Sequence, residues 1–152
     1  MNDTYNNIGI SFVSFLSIIR FFDEMEYSTS LLINPILLHN QTVAYLKNQK
    51  TKPKGIEDLI TSKIEFFLDF NTRYYAFLEL SINTIIFAEK MNFIALKNNK
   101  IIPIKEQIDK FDFTNIGLGD RAINIIHASE KLSTLLKQES TDSLYFKLRI
   151  EV

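Results

Sequence analysis

Residues able to do chemistry are few and scattered. His39 and His127 stand 88 positions apart, with no Ser or Asp at a fixed spacing to either, so neither belongs to a nucleophile and base arrangement. His39 also lacks a second His or acid at ligand spacing, so a local hydrogen-bonding role suits it better than a metal. His127 reads as a satisfied core or interface histidine. Glu57 and Asp58 are neighbours that leave a helix in different directions, so they do not form a carboxylate pair over one pocket. Gly117-Leu118-Gly119 lacks the third glycine and the βαβ setting of a dinucleotide loop. The chain has no cysteine, which removes disulfides, thiolate metal sites and thiol nucleophiles together and favours an intracellular, cytoplasmic setting. No catalytic residue, metal or cofactor is expected.

The chemistry that remains is binding. Lys47, Lys50, Lys52 and Lys54 crowd a polar stretch punctuated by Pro53 and Gly55, and Lys97 and Lys100 flank Asn98-Asn99. These six lysines are the candidate DNA or phosphate contacts. The first four lack interleaved aromatic residues, so a solvated loop is the simpler reading of that stretch. Charge is uneven along the chain: residues 1–46 carry −3, residues 47–105 carry +4 and residues 106–152 carry −2, for −1 in all. The basic excess is modest, well below that of a dedicated DNA-binding domain.

The elements that must position these groups are mostly helical. From Thr72 to Met91, Tyr75, Leu78, Ile82, Ile85, Ile86 and Phe87 recur at spacings of three or four, which predicts a helix burying that stripe. Asn92 ends it, and Phe93-Ile94-Ala95-Leu96 and Ile101-Ile102-Pro103-Ile104 form a hairpin turned by Asn98-Asn99. Pro103 donates no hydrogen bond, so the second strand should be an edge or end there. A helix closed by a hairpin is the ending of a winged helix-turn-helix unit. The expected architecture is mainly α with a small β-hairpin, a winged-helix-like single domain over residues 1–152 with its helix-hairpin core at about 56–104.

Upstream, residues 8–25 place Phe12, Phe15, Leu16, Ile18, Ile19 and Phe22 around most of a helix, with Ser11, Ser14 and Ser17 in one strip that admits a close neighbour. Such a helix is either a central core element or a contact between subunits. Arg20 interrupts the apolar run and no cleavage site follows, so it does not read as a signal peptide, and no stretch is long enough to span a membrane. Leu31 to Leu38 is broken by Asn34-Pro35 and reads as a short extended piece or a packed connector. His39 to Thr42 caps a brief helix from Val43 to Leu46.

Ile56, Leu59, Ile60, Ile64, Phe67 and Leu68 predict one face of a helix running to Phe70. Asp120 reads as the N-cap of a helix from Arg121 to Gln138 that buries Ile125, Leu132, Leu135 and Leu136. In residues 140–152 a Ser-Thr-Asp cap argues for helix while alternating Leu144, Phe146, Leu148 and Ile150 argue for strand. Phe12, Phe15, Ile19, Phe22, Leu132 and Leu136, from the two most apolar helices, are the candidate partner interface.

The order of these segments resembles a known family. An apolar Leu31-Leu32-Ile33-Asn34-Pro35-Ile36-Leu37-Leu38-His39 precedes a basic loop and a segment ending in Phe66-Phe67-Leu68. Arg73-Tyr74-Tyr75 then leads Leu80 to Met91, the hairpin, and a helix closing in Leu132 to Lys137. That order, over roughly residues 7–150, is similar to the middle component of bacterial three-component ABC-ATPase conflict systems, related to the small subunit of Lamassu-type antiphage defence complexes. The resemblance implies a non-catalytic adaptor, winged-helix-like, bound to an SMC/Rad50-like ATPase near its heads or coiled-coil neck. Such an adaptor would help to couple DNA sensing to release of an effector nuclease. It carries no catalytic residues onto this chain. The basic wing tip Lys97 to Lys100 keeps direct DNA contact open, and an autonomous winged-helix DNA-binding transcriptional regulator is the alternative. For that regulator Ser81, Asn83, Thr84, Glu79 and Lys90 would be the groove-reading side chains. A toxin or small enzyme has no nucleophile, metal site or phosphate loop to rest on.

Overall fold

A helix apolar on nearly every side needs neighbours on every side, and the first helix has them. The structure, a computed structural model, describes the backbone of residues 3–152 and the side chains of residues 7–152; Met1 and Asn2, at the head of the stretch weighed as a signal peptide, lie outside the described residues. Helix α1 spans Asp3–Ile19 and packs against α8 (Asp120–Lys137), α6 (Phe70–Lys90) and α3 (Ile33–Leu37). Ser11, Ser14 and Ser17 are all fully buried, and these small side chains let the neighbouring helices approach. Among the described residues no helix is long and apolar enough to cross a membrane.

The chain is mainly helical with a small three-stranded antiparallel sheet. After α1, the two-residue strand β1 (Met25–Glu26) leads into α2 (Tyr27–Ser30), α3 and α4 (Asn40–Lys47). Pro35 sits within the first turn of α3, where a missing N–H breaks nothing. Of the two expectations for Leu31 to Leu38, an extended piece or a packed connector, the packed one agrees with the structure, as a short helix whose five residues are all buried. His39 caps α4: its Nδ1 accepts from Thr42 N–H at 3.3 Å. Burial, and then the positive charge of Arg73, holds its pKa below the ordinary imidazole range.

After the 48–55 loop, α5 (Ile56–Ser62) stops early. Lys63 takes φ −133° and ψ 53°, a 3₁₀ turn covers Ile64–Phe66, and α6 begins afresh at Phe70. One helix over this stretch would bury Ile64 and Leu68; the break turns Phe66 and Phe67 inward and leaves Ile64 and Leu68 outside.

Helix α6 runs into the hairpin of β2 (Ile94–Lys97) and β3 (Lys100–Pro103), turned by Asn98 and Asn99, both with positive φ. Two such residues in a two-residue loop give the turn whose twist matches paired strands. The sheet order is β1-β3-β2, so β3 is its central strand. It ends at Pro103, beyond β1, whose pairs are Met25 with Ile101 and Glu26 with Lys100. Helix α7 (Lys105–Ile108) follows, and Lys105 Nζ donates to the carbonyls of Arg20 and Phe22 at 2.8 and 2.7 Å, tying the sheet to the end of α1.

Gly119, at φ 92°, caps α8 where Asp120 was the expected cap, and Asp120 occupies the first turn. Residues 141–147 resolve as helix α9 (Thr141–Lys147), with Ser140 Oγ accepting from Ser143 N–H at 3.2 Å.

Candidate docking surfaces

Five of the six side chains expected to face a partner are buried within this chain. Phe15, Ile19, Phe22, Leu132 and Leu136 are all under 9% exposed: α1 and α8 lie side by side, and Phe22, just beyond α1, joins the same core cluster. Phe12 is half-buried, its ring edge-on to Phe87, Phe93 and Phe111 at centroid distances of 5.1, 5.2 and 6.3 Å. The apolar circumference of α1 therefore serves the core, and a partner surface must be sought elsewhere.

The six lysines fall into two settings. Lys47, Lys50, Lys52 and Lys54 are exposed, the first at the end of α4 and the others in the 48–55 loop; Lys47 Nζ donates to Asn124 Oδ1 at 3.2 Å. A fifth cation holds the loop in place: Lys131 Nζ of α8 donates to the carbonyls of Asn48, at 2.8 Å, and Thr51. Burial and then nearby Lys52 lower the pKa of Lys131. Lys97 and Lys100 pair across the hairpin tip, and only Lys97 stands clear, since Lys100 Nζ bonds Glu24 Oε1 at 2.9 Å. His127, expected in the core or an interface, is exposed on α8.

On α6 the buried face is not the expected stripe. Tyr75, Ile86 and Phe87 are exposed, while Ser81 and Thr84 are buried with Tyr74, Ile85 and Ala88. Ser81 and Thr84 are committed to the interior: Asn34 Nδ2 donates to Ser81 Oγ at 3.0 Å, and Thr84 Oγ1 lies 2.5 Å from Ser11 Oγ. Two of the five candidate groove-reading side chains are thus removed from the surface. Arg73, the other cation of this helix besides Lys90, is also anchored, donating to the carbonyls of Pro35 and Phe66 and pairing with Asp69.

The most exposed cluster of large apolar side chains around a cleft lies between α5 and α9. A groove of about 480 Å³ is lined by Ile60, Ile64, Phe67, Leu68, Phe146 and Leu148, with Glu57, Lys147 and Arg149 among its polar residues. Leu68 is 77% exposed and Phe146 83%. Both follow from local geometry. Leu144 and Leu148, one turn apart, point α9 into the core, which sends Phe146 to the opposite side; Leu68 is stranded by the break after α5.

Comparison with protein families decides which chain this is. The model of the family described as ABC-three component (ABC-3C) system Middle Component 3 matches residues 21–152. The chain belongs to the Middle Component 3 family. No curated protein and no solved structure matches it. The match begins after α1, so the helix at the centre of this Middle Component 3 core precedes the matched region.

The groove of this Middle Component 3 chain was invisible in the sequence. Ile64 and Leu68 fit the apolar face of an uninterrupted helix, and Phe146 fitted either of two conformations. The one available signal was the length of the apolar periodicity from Ile56 to Leu68, which spans two elements and not one.

Proposed function

We propose that this Middle Component 3 chain is the non-catalytic adaptor subunit of an ABC-ATPase defence complex, coupling DNA sensing by an SMC/Rad50-like ATPase to an effector nuclease, as in Lamassu-type antiphage systems. The observation that carries the reading is the match of residues 21–152 to the middle component of ABC-three component systems. A winged-helix-like fold is part of the proposal. It is supported by α6 leading directly into a hairpin whose second strand also pairs with β1 from the N-terminal part of the chain.

The exposed chemistry supports protein contact over base reading. The outer face of α6 carries Tyr75, Ile86 and Phe87 with Glu79 and Glu89, and carboxylates there repel phosphates. The exposed lysines Lys50, Lys52, Lys54 and Lys97 are proposed as backbone contacts to DNA within the assembled complex. They would add affinity without sequence preference.

The test is co-purification of the tagged full-length chain with the products of its neighbouring genes, resolved by size exclusion with and without linear DNA. Co-elution with a coiled-coil ATPase and an effector is the expected result. A chain that elutes alone, or that shifts only when DNA is added, overturns the adaptor reading, and the second of these outcomes would install the autonomous winged-helix regulator in its place.

A further inference from the structure

Helix α9 ends on an arginine where a glycine is usual. The N–H of Arg149 bonds the carbonyl of Phe146 at 3.1 Å and the N–H of Ile150 bonds that of Tyr145 at 3.1 Å, the paired bonds of a Schellman ending. That ending needs a left-handed residue, and Arg149 takes φ 58°. Glycine adopts this conformation without the steric cost that a Cβ brings. The bonds of the Schellman ending and the buried neighbours Leu148 and Ile150 hold Arg149 in this conformation, and its side chain lines the α5–α9 groove.

The charges around the groove are not equivalent. Lys147 Nζ is engaged twice, by Glu139 Oε2 at 2.6 Å and by Glu57 Oε2 at 3.6 Å. Arg149 makes no ion pair among the described residues and is exposed. The groove therefore couples an apolar floor and two protruding apolar side chains, Leu68 and Phe146, to one guanidinium that has no ion-pair partner among the described residues. At about 480 Å³ the groove has room for a few side chains of an occupant. Apolar anchors at helical spacing entering a groove are how a single amphipathic segment binds.

We propose that the α5–α9 groove docks a short amphipathic segment of another component of the same system, its apolar side chains packing on Leu68 and Phe146 and a carboxylate meeting Arg149. The partner's being a component of the system rests on the adaptor reading above. The carboxylate is required because a guanidinium at the edge of an apolar contact gains a charge-assisted, two-pronged hydrogen bond only from an anion of that shape.

Two measurements test this with the full-length chain. The first is the affinity of the purified chain for each separately purified component of its system. Leu68→Ser and Arg149→Gly should each weaken binding to one component by about tenfold or more, as loss of an interface anchor does. Ile116→Ser, an 86% exposed residue outside the groove, should leave binding unchanged. Arg149→Gly keeps the test clear of misfolding, since glycine suits φ 58° and the melting temperature should hold or rise while affinity falls.

The second uses the absence of cysteine: Phe146→Cys gives a single attachment point for a photoreactive crosslinker. Crosslinks should reach a partner segment with apolar residues at spacings of three and four beside an Asp or Glu. If Leu68→Ser and Arg149→Gly bind as tightly as the parent, or the crosslinks join two copies of this chain, the groove proposal fails while the adaptor reading stands. If the parent chain binds no component, the adaptor reading itself fails.

Discussion

The side-chain amide of Asn34 donates to Ser11 Oγ at 2.7 Å, in a part of the core where neither residue reaches solvent. The bond begins a directed chain. Thr84 Oγ1 donates to the carbonyl of Leu80 at 2.7 Å, so the 2.5 Å contact between Ser11 and Thr84 has Ser11 as donor. Asn34, Ser11 and Thr84 thereby lock α3, α1 and α6 in one register, with Ser81 as a second acceptor for Asn34. Among the described residues Asn34 Oδ1 has no partner, so the cluster already carries one unsatisfied acceptor.

Removing the amide takes away that unsatisfied oxygen, but it also removes the donor that two buried hydroxyls share, so the net effect should be a loss of stability. Asn34→Ala leaves Ser11 and Ser81 without their donor and is expected to destabilise the chain by about 2 kcal/mol, the usual penalty for stranding buried polar groups. Adding Ser81→Ala should cost less than the sum of the two single changes, because the groups left unpaired disappear together. Urea unfolding of the two single variants and the double variant measures this. Strict additivity would show that the bonds do not act as a unit.

The hairpin turn gives a prediction of opposite sign at one position. Asn99 sits at φ 62°, and its carbonyl accepts from Tyr27 N–H at 2.9 Å, so it sets both the turn and the approach of the segment after β1. Asn99→Gly should be neutral or slightly stabilising, whereas Asn99→Val should cost about 1–2 kcal/mol, since a β-branched residue tolerates the left-handed region poorly. Chemical denaturation separates them; equal stability of the two variants would mean the turn relaxes into another conformation.

How far these features could be read beforehand depended on whether one local rule governed each of them. The hairpin, the lysine-rich loop, the His39 cap and α8 followed from turn residues, capping and a single periodicity, and the structure has them close to their expected bounds. The face of α6 was misjudged because its buried side includes Ser81 and Thr84. Those hydroxyls are inside because Asn34 reaches Ser81 from 47 positions away and Ser11 reaches Thr84 from 73, and hydropathy alone cannot see that. Strand β1 is two residues long and exists through pairing with Ile101 and Lys100, so nothing local announces it. Likewise α1 presented apolar residues on all sides, but whether its own chain or a partner covered them was a tertiary question. The groove fell between these cases, produced by a break at Lys63 that the unbroken run of apolar residues concealed.

On α9 the ion pair of Lys147 with Glu139 makes stability depend on pH at both ends. The hydrogen bond from Lys147 holds the Glu139 carboxyl below its ordinary range, with Ser143 helping, and the same bond raises Lys147. For a carboxyl lowered in the folded state, stability is full above its unfolded pKa of about 4.3 and is lost as pH falls through the folded value. For a raised amine, stability is full below its unfolded pKa of about 10.4 and is lost as pH rises through the folded value. Glu139→Gln should thus lower the melting temperature relative to the parent near pH 7, and the gap should close towards both pH 3 and pH 11. A gap that stays constant across that range would mean that packing of the side chain, and not its charge, matters.

The hairpin tip offers the sharpest division between two residues of the same type. Lys100 lies 2.9 Å from Glu24, and Glu26 stands nearby, so its charge is already answered; the hydrogen bond to Glu24 raises its pKa further. Lys97, directly across the strands, is exposed and makes no ion pair among the described residues. If the tip meets DNA in the assembled complex, the two lysines cannot contribute alike. A lysine that displaces a counterion from phosphate adds about 0.9 to the slope of log affinity against log salt, whereas one that must first leave a carboxylate adds less. Lys97→Gln is therefore expected to lower the salt slope of the complex by close to one unit, while Lys100→Gln should change it little. Glu24→Gln, which frees Lys100, should raise the slope. Titration of linear DNA at several salt concentrations reads all three. Equal losses for Lys97→Gln and Lys100→Gln would show that the pair with Glu24 opens on binding, and no loss from either would place the tip away from DNA.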